Sequence, residues 1–207
     1  WGLNTLAAWS STDIRKDKKT PYTLLASIWW LTGKKTPSPF RDDYVDDLCK
    51  ALKQSAWAKD DPYCLGIFIG NEFEWPDRFS QLVFELPDDD STKQWVLDQI
   101  RNKYLSLDRL NTAWGTSFSQ WDQTLQNADT KHHQTAAKDI DPLYFEFARA
   151  FFRKSKEAIE KTLPGTLFLG CRCHRGPNVL GRAAVGHADV FSVSYTHLRA
   201  HETIPDL

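Results

Sequence analysis

One stretch of this chain could place a carboxylate where chemistry happens. Residues 64–69, Cys-Leu-Gly-Ile-Phe-Ile, form an unbroken apolar run that stops abruptly at Gly70-Asn71-Glu72. Such a run reads as a buried parallel strand that delivers Glu72 to the rim of a sheet. At a rim of this kind a partly desolvated carboxyl group can hold its proton and serve as a general acid or base. The same residues also fit the start of a solvated loop. Other polar or aromatic residues fall at the ends of similar runs: Trp9, the pair Trp29 and Trp30, and Arg172 with His174.

The elements that would position these residues follow from the pattern of the chain. Residues 2–8 suggest a strand leading to Trp9, and Ser11 suits a cap for a helical turn over 12–18. Pro21 introduces an apolar strand over 22–30. Tyr44, Val45, Leu48, Leu52 and Trp57 recur at helical spacing over 42–58, and Asp60-Asp61-Pro62 breaks that helix. Residues 75–90 have little periodicity and read as a long connection. Ser91 with Gln94 matches a capping box opening a helix through Tyr104. Ser106 starts a shorter helix that Gly115 stops after Trp114. Residues 117–134 are polar and read as loop.

Asp141-Pro142 then reads as an N-cap followed by proline in the first turn, opening a helix to about Thr162 with Leu143, Phe147, Phe151 and Ile159 on one side. A strand over 166–173, a short helix over 179–186 and a strand over 189–192 complete the series. Nearly continuous apolar strands alternating with helices describe an α/β protein with a parallel sheet covered on both faces. An open doubly wound sheet and a barrel both suit this pattern. No phosphate-binding glycine fingerprint follows any strand. The polar and aromatic strand ends would gather on one face of a barrel, which favours the barrel.

Composition excludes several classes. With 26 Lys and Arg against 27 Asp and Glu, the chain has no electrostatic footprint for nucleic acid or an anionic membrane. No apolar run reaches the length of a membrane-spanning helix. The cysteines at 49, 64, 171 and 173 lie in apolar, strand-like settings and read as buried free thiols. Cys171 and Cys173 alternate along one strand, which argues against a tight bridge between them. No metal or cofactor site is expected.

Three segments carry a family resemblance. Phe68-Ile69-Gly70-Asn71-Glu72 resembles the Asn-Glu motif at the end of the fourth strand in retaining (β/α)8 glycosidases. Residues 60–68, residues 110–121 (Leu-Asn-Thr-Ala-Trp-Gly-Thr-Ser-Phe-Ser-Gln-Trp) and residues 167–172 (Leu-Phe-Leu-Gly-Cys-Arg) resemble glycoside hydrolase family 50, the β-agarases. The Asn-Trp-Gly segment is also similar to family 42 β-galactosidases. Counting from Gly2–Trp9 as strand two makes Leu65–Glu72 strand four, so residues 1–192 would form an incomplete (β/α)8 TIM barrel covering about strands two to six. Two positions depart from the pattern: no Asn precedes Trp9, and Cys173-His174 stands where the family has Phe-Ala.

The resemblance implies a fragment of a retaining hydrolase acting on β-galactosidic linkages of agarose or related galactans. It makes Glu72 the acid/base and gives Asn71 a hydrogen bond to the sugar 2-hydroxyl. Trp29, Trp30 and Trp75 could stack on sugar faces or fill the barrel wall. Arg172 could orient a carboxylate or a sugar, or form a structural ion pair, and Glu74 reads as a rim charge. The family's nucleophile, a Glu at the end of strand seven, would lie beyond this chain, leaving the isolated fragment inactive with open sheet edges. A galactan or agaro-oligosaccharide is the implied partner. A secreted or periplasmic parent remains open, as do a non-catalytic carbohydrate-binding barrel and a scaffold with no sugar role.

Residues 193–203 (Val-Ser-Tyr-Thr-His-Leu-Arg-Ala-His-Glu-Thr) resemble the conceptual translation of a transposase sequencing adapter. Residues 193–207 are therefore read as an adapter-derived tail, and His197, His201 and Glu202 are given no metal-site role.

Overall fold

The computed structural model describes residues 4–28, 36–126, 130–173 and 178–192. Two regular strands, β1 (Tyr22–Ala26) and β2 (Cys64–Ile69), pair in parallel, with Leu24 opposite Ile67 and Ala26 opposite Ile69. Three further extended segments flank them. Leu6 bridges Tyr22 and Phe168 bridges Ile67, both in parallel. Beyond Phe168, its carbonyl accepts from the Asp189 and Val190 amides at 2.9 and 3.2 Å, and Ser192 accepts from the Cys173 amide at 3.0 Å. Neighbours in this sheet are thus neighbours in sequence.

A register slip between Tyr22 and Thr23 leaves Leu65 without a partner and brings Gly66 opposite Thr23. Gly66 has φ +147°, and a β-carbon there would lie 2.7 Å from the Leu167 carbonyl. Glycine is required because the next strand crosses that close.

Helices intervene between the strands: α1 (Thr12–Lys16), α2 (Tyr44–Lys53), α3 (Phe79–Glu85), α4 (Ser91–Tyr104), α5 (Leu107–Trp114), α6 (Thr130–Ile140), α7 (Tyr144–Thr162) and α8 (Val179–Ala184). The long helix α7 packs on α2 and α8 and buries Phe147, Phe151, Phe152 and Ile159. These aromatic rings join Phe73, Trp75 and Phe79 in the core.

Five expectations are corrected. The connection over 75–90 contains α3, whose seven residues are too few to display a period, although Phe79 and Val83 are fully buried. The loop over 117–134 contains a 3₁₀ turn and the start of α6, whose apolar side rests on Ala136, Ala137 and Ile140. The cap of α4 is Asp90, not Ser91: its carboxylate accepts from the Thr92 and Lys93 amides, and Ser91 Oγ pairs with Ser38 Oγ at 2.7 Å. Asp141 lies in a 3₁₀ turn joining α6 to α7. Its carboxylate accepts from the Ser80 amide at 2.8 Å and so satisfies the open end of α3 from a distance. The strand over 2–8 contributes only the Leu6 bridge among the described residues.

Asp139 ties α4, α5 and α6 together. It accepts from Lys103 Nζ at 2.6 Å, Tyr104 Oη at 2.7 Å and Trp114 Nε1 at 2.7 Å. Burial alone would raise its pKa, but these three donors outweigh it and hold the carboxyl below the ordinary range. Asp139→Asn should destabilise the protein by about 1–3 kcal/mol in denaturant titrations at pH 7. Because the folded pKa is depressed, this contribution is present above the unfolded value of about 3.9 and is lost as pH falls through the folded one. The gap between wild type and Asp139→Asn should therefore shrink in acid.

Candidate active site

The backbone that carries Glu72 is held by its neighbours on both sides. At the end of β2 the Gly70 amide donates to the Ala26 carbonyl at 3.0 Å, which extends the ladder to β1. On the opposite side the Ile69 amide donates to the Gly170 carbonyl at 3.0 Å and the Glu72 amide to the Arg172 carbonyl at 3.1 Å. The backbone turns sharply here, with φ +73° at Gly70, +51° at Glu72 and +41° at Arg172. For Glu72 and Arg172 this left-handed conformation costs of order 1–2 kcal/mol each, and such strain collects at functional sites.

Gly70 is fixed by space as well as by φ. A β-carbon on it would overlap the Phe73 ring, which is 2% exposed and packs edge-on against Phe151 at 6.1 Å. Gly70→Ala should therefore displace the Phe73 ring or the strand end. The expected result is a thermal midpoint lowered by several degrees, checked by calorimetry.

Asn71 is buried at 8% exposure and Glu72 is half-buried, while Glu74 faces solvent. Arg172 is half-buried beside Glu72, joined to it through the backbone bond above. Trp75 is turned into the core. At 7% exposure, its ring packs edge-on to Phe151 at 5.3 Å and parallel to Phe152 at 6.4 Å, which is the wall-filling alternative. Trp29, Trp30 and His174 lie outside the described residues, as do residues 193–207.

A cavity of about 340 Å³ lies elsewhere, between α3 and α6, lined by Arg78, Gln81, Phe84, Glu85, His133 and Gln134 among others. Among the described residues no group of three or more His, Cys, Asp or Glu side chains could hold a metal ion, and no helix is long and apolar enough to cross a membrane.

This geometry belongs to a recognisable scaffold. A crystal structure of an agarase, AgWH50C, superposes with a TM-score of 0.78 and 26% identity, covering 93% of this chain and 31% of that one. This chain is similar to the β-agarases of glycoside hydrolase family 50. Beta-agarase A of Vibrio sp. (strain JT0107) is 26% identical over 89% of this chain and 22% of its own length. Beta-agarase B of the same strain is 24% identical over 82% of this chain and 20% of its own length. The chain thus spans about a fifth of the curated relatives it matches. A structure of an exo-beta-agarase shares the fold, with TM-score 0.77 at 22% identity. No family model matches.

Several residues of the agarase-like segments serve as scaffold. Asp61, with a fully buried side chain, accepts from Tyr22 Oη at 2.8 Å and from the Tyr63 amide at 3.0 Å. Asn111 staples the turn after α5: its Oδ1 accepts from the Phe118 amide and Thr116 Oγ1, and its Nδ2 donates to the Phe118 carbonyl, each at 2.9 Å. Trp114 binds Asp139, and Gly115 takes the left-handed cap at φ +66°. A β-carbon on Gly170 would sit 3.1 Å from the Val190 carbonyl. The sequence reading missed Asp139, because an acid on a polar helix carries no sign of burial. It also missed how close Cys171 and Cys173 stand.

Proposed function

We propose that this chain is part of the catalytic (β/α)8 barrel of a retaining glycoside hydrolase that cleaves β-galactosidic linkages of agarose or a related galactan, with Glu72 as general acid/base. The observation that carries the proposal is the placement of Glu72: a half-buried carboxylate at the carboxyl end of a parallel strand, its strained backbone tied to the next strand. Active sites of barrel enzymes collect at that end of the strands. Similarity to β-agarases along most of the chain supplies the substrate class. The sequential parallel order of the extended segments is the order a barrel requires.

In this reading Glu72 donates its proton to the glycosidic oxygen while a second carboxylate attacks the anomeric carbon. The deprotonated Glu72 then takes a proton from the water that releases the glycosyl intermediate. The two groups must stand about 5–5.5 Å apart. We assign the second carboxylate to the longer protein, of which the relatives' lengths make this chain a minor part. Asn71 is assigned the sugar 2-hydroxyl, and Arg172 the orientation of a carboxylate or hydroxyl beside Glu72. Trp29 and Trp30 are proposed as stacking platforms. The buried ring of Trp75 argues for a role in holding the loop instead.

The test is product analysis. The full-length protein carrying this sequence should release reducing ends from agarose and from agaro-oligosaccharides but not from starch or cellulose, and the isolated chain should release none. Binding of agaro-oligosaccharides by the full-length protein without any cleavage would turn the assignment to a binding barrel.

A further inference from the structure

Cys171 and Cys173 flank Arg172 in the strand-end group, yet neither thiol takes part in the mechanism above. In a regular strand, residues two apart are separated by about 6.6 Å along the chain, which keeps their side chains well apart. Arg172 breaks that spacing with φ +41°, and the two sulfurs stand 3.2 Å apart. Both are free thiols, Cys171 fully buried and Cys173 3% exposed. A disulfide of about 2.05 Å would need them to close by only roughly 1.1 Å.

Tyr144 Oη is buried nearby without a hydrogen-bond partner, while Trp75 Nε1 is within reach of the Cys171 sulfur and Tyr44 Oη of Ser155. Both tyrosines are near enough to feel a charge on the sulfurs, Tyr44 that of Cys171 and Tyr144 that of either thiol. Orphaned donors are rare in a packed interior. Around a pair of thiols the Tyr144 O–H and the Trp75 N–H can donate to an anionic sulfur or a sulfenic oxygen, species that gain most from such donors.

We infer that Cys171 and Cys173 form a hydroperoxide-responsive dithiol that closes to an internal disulfide and in doing so moves the Arg172 carbonyl off the Glu72 amide. Cys173, the less buried, reacts first. Its thiolate attacks one peroxide oxygen, the O–O bond breaks, the departing hydroxide takes up the proton released by the thiol, and Cys173 becomes a sulfenic acid. The Cys171 sulfur then attacks the sulfenic sulfur. The S–O bond breaks and the leaving hydroxide takes the Cys171 proton, so two thiols and one hydrogen peroxide yield one disulfide and two waters. The Cys173 sulfur and burial hold the Cys171 thiol protonated, which leaves Cys173 to meet the peroxide first. The Glu72 amide bond to Arg172, at 3.1 Å, carries the change to the strand end.

The disulfide stands independently of the proposed catalytic role of Glu72; only its effect on hydrolysis rests on that role. The test is to reduce the full-length protein carrying this sequence, add hydrogen peroxide in small molar excess, and map the peptides without reduction. The peptide holding both cysteines should lose two hydrogens before Cys49 or Cys64 reacts. Exchange at the Glu72 amide should quicken by at least about tenfold, as expected for a lost backbone bond. Cys173→Ser should abolish both effects. Oxidation of Cys49 or Cys64 first, separate sulfinic acids at 171 and 173, or no reaction would overturn the dithiol. A disulfide with unchanged Glu72 exchange would overturn the coupling. If disulfide and exchange both change while hydrolysis is unaffected, it is the role of Glu72 that fails.

Discussion

Replacing Glu72 with glutamine in the full-length protein should lower kcat on agaro-oligosaccharides by about 10²–10⁴-fold, the usual contribution of a positioned general acid. Glutamine keeps the size and the backbone bond from residue 72 to the Arg172 carbonyl, so the strand end should survive. The circular dichroism spectrum and the thermal midpoint should stay close to wild type, since a half-buried carboxylate at a strained position contributes little stability there. KM should change far less than kcat, because the proton is needed in the transition state and not for binding. A comparable loss from Glu74→Gln, an exposed neighbour, would point to a different acid.

The largest stability effect should come from Phe151→Ala, at about 3–5 kcal/mol. Phe151 is fully buried and meets Trp75 at 5.3 Å, Phe152 at 5.3 Å, Phe73 at 6.1 Å and Tyr44 at 6.5 Å between ring centres. Removing the ring leaves a cavity bounded by rigid aromatic neighbours that cannot easily collapse into it. A loss of that size is a large share of the 5–15 kcal/mol typical of a folded domain. Phe73 and Trp75 belong to the loop that carries Glu72, so activity should fall at temperatures where the fold persists. Urea denaturation and an activity–temperature profile test the two parts separately. Phe151→Leu should recover part of both, because it refills most of the space.

Local signals in the chain were read well where one residue type has one job. Ser106 and Gly115 bound α5 as expected, since a side-chain acceptor and a left-handed glycine have few other uses at helix ends. The apolar run at 64–69 matched β2. Where several residues could do the same job, the sequence misled. Asp90 and Ser91 are both good caps, and only the neighbouring Ser38 decides between them. Asp141 looked like the start of its own helix because its true partner, the Ser80 amide, is 61 residues away. Trp75 fits both platform and packing in the sequence, and three aromatic residues of α7, Phe147, Phe151 and Phe152, decide that it packs. The approach of Cys171 to Cys173 depends on a left-handed backbone at Arg172, a residue type that carries no hint of it. The motifs that pointed to the agarases did so through scaffold residues such as Asp61, Asn111 and Gly170, which fix the frame around the strand end.

The central claim is that Glu72 donates the proton to the leaving group, and its most direct test is leaving-group dependence. kcat/KM of wild type and Glu72→Gln should be compared on an agaro-oligosaccharide and on an aryl glycoside whose phenol leaves without protonation. The account predicts the loss of about 10²–10⁴-fold on the oligosaccharide and a loss of less than about tenfold in the glycosylation step of the aryl substrate. Equal losses on both substrates would contradict it.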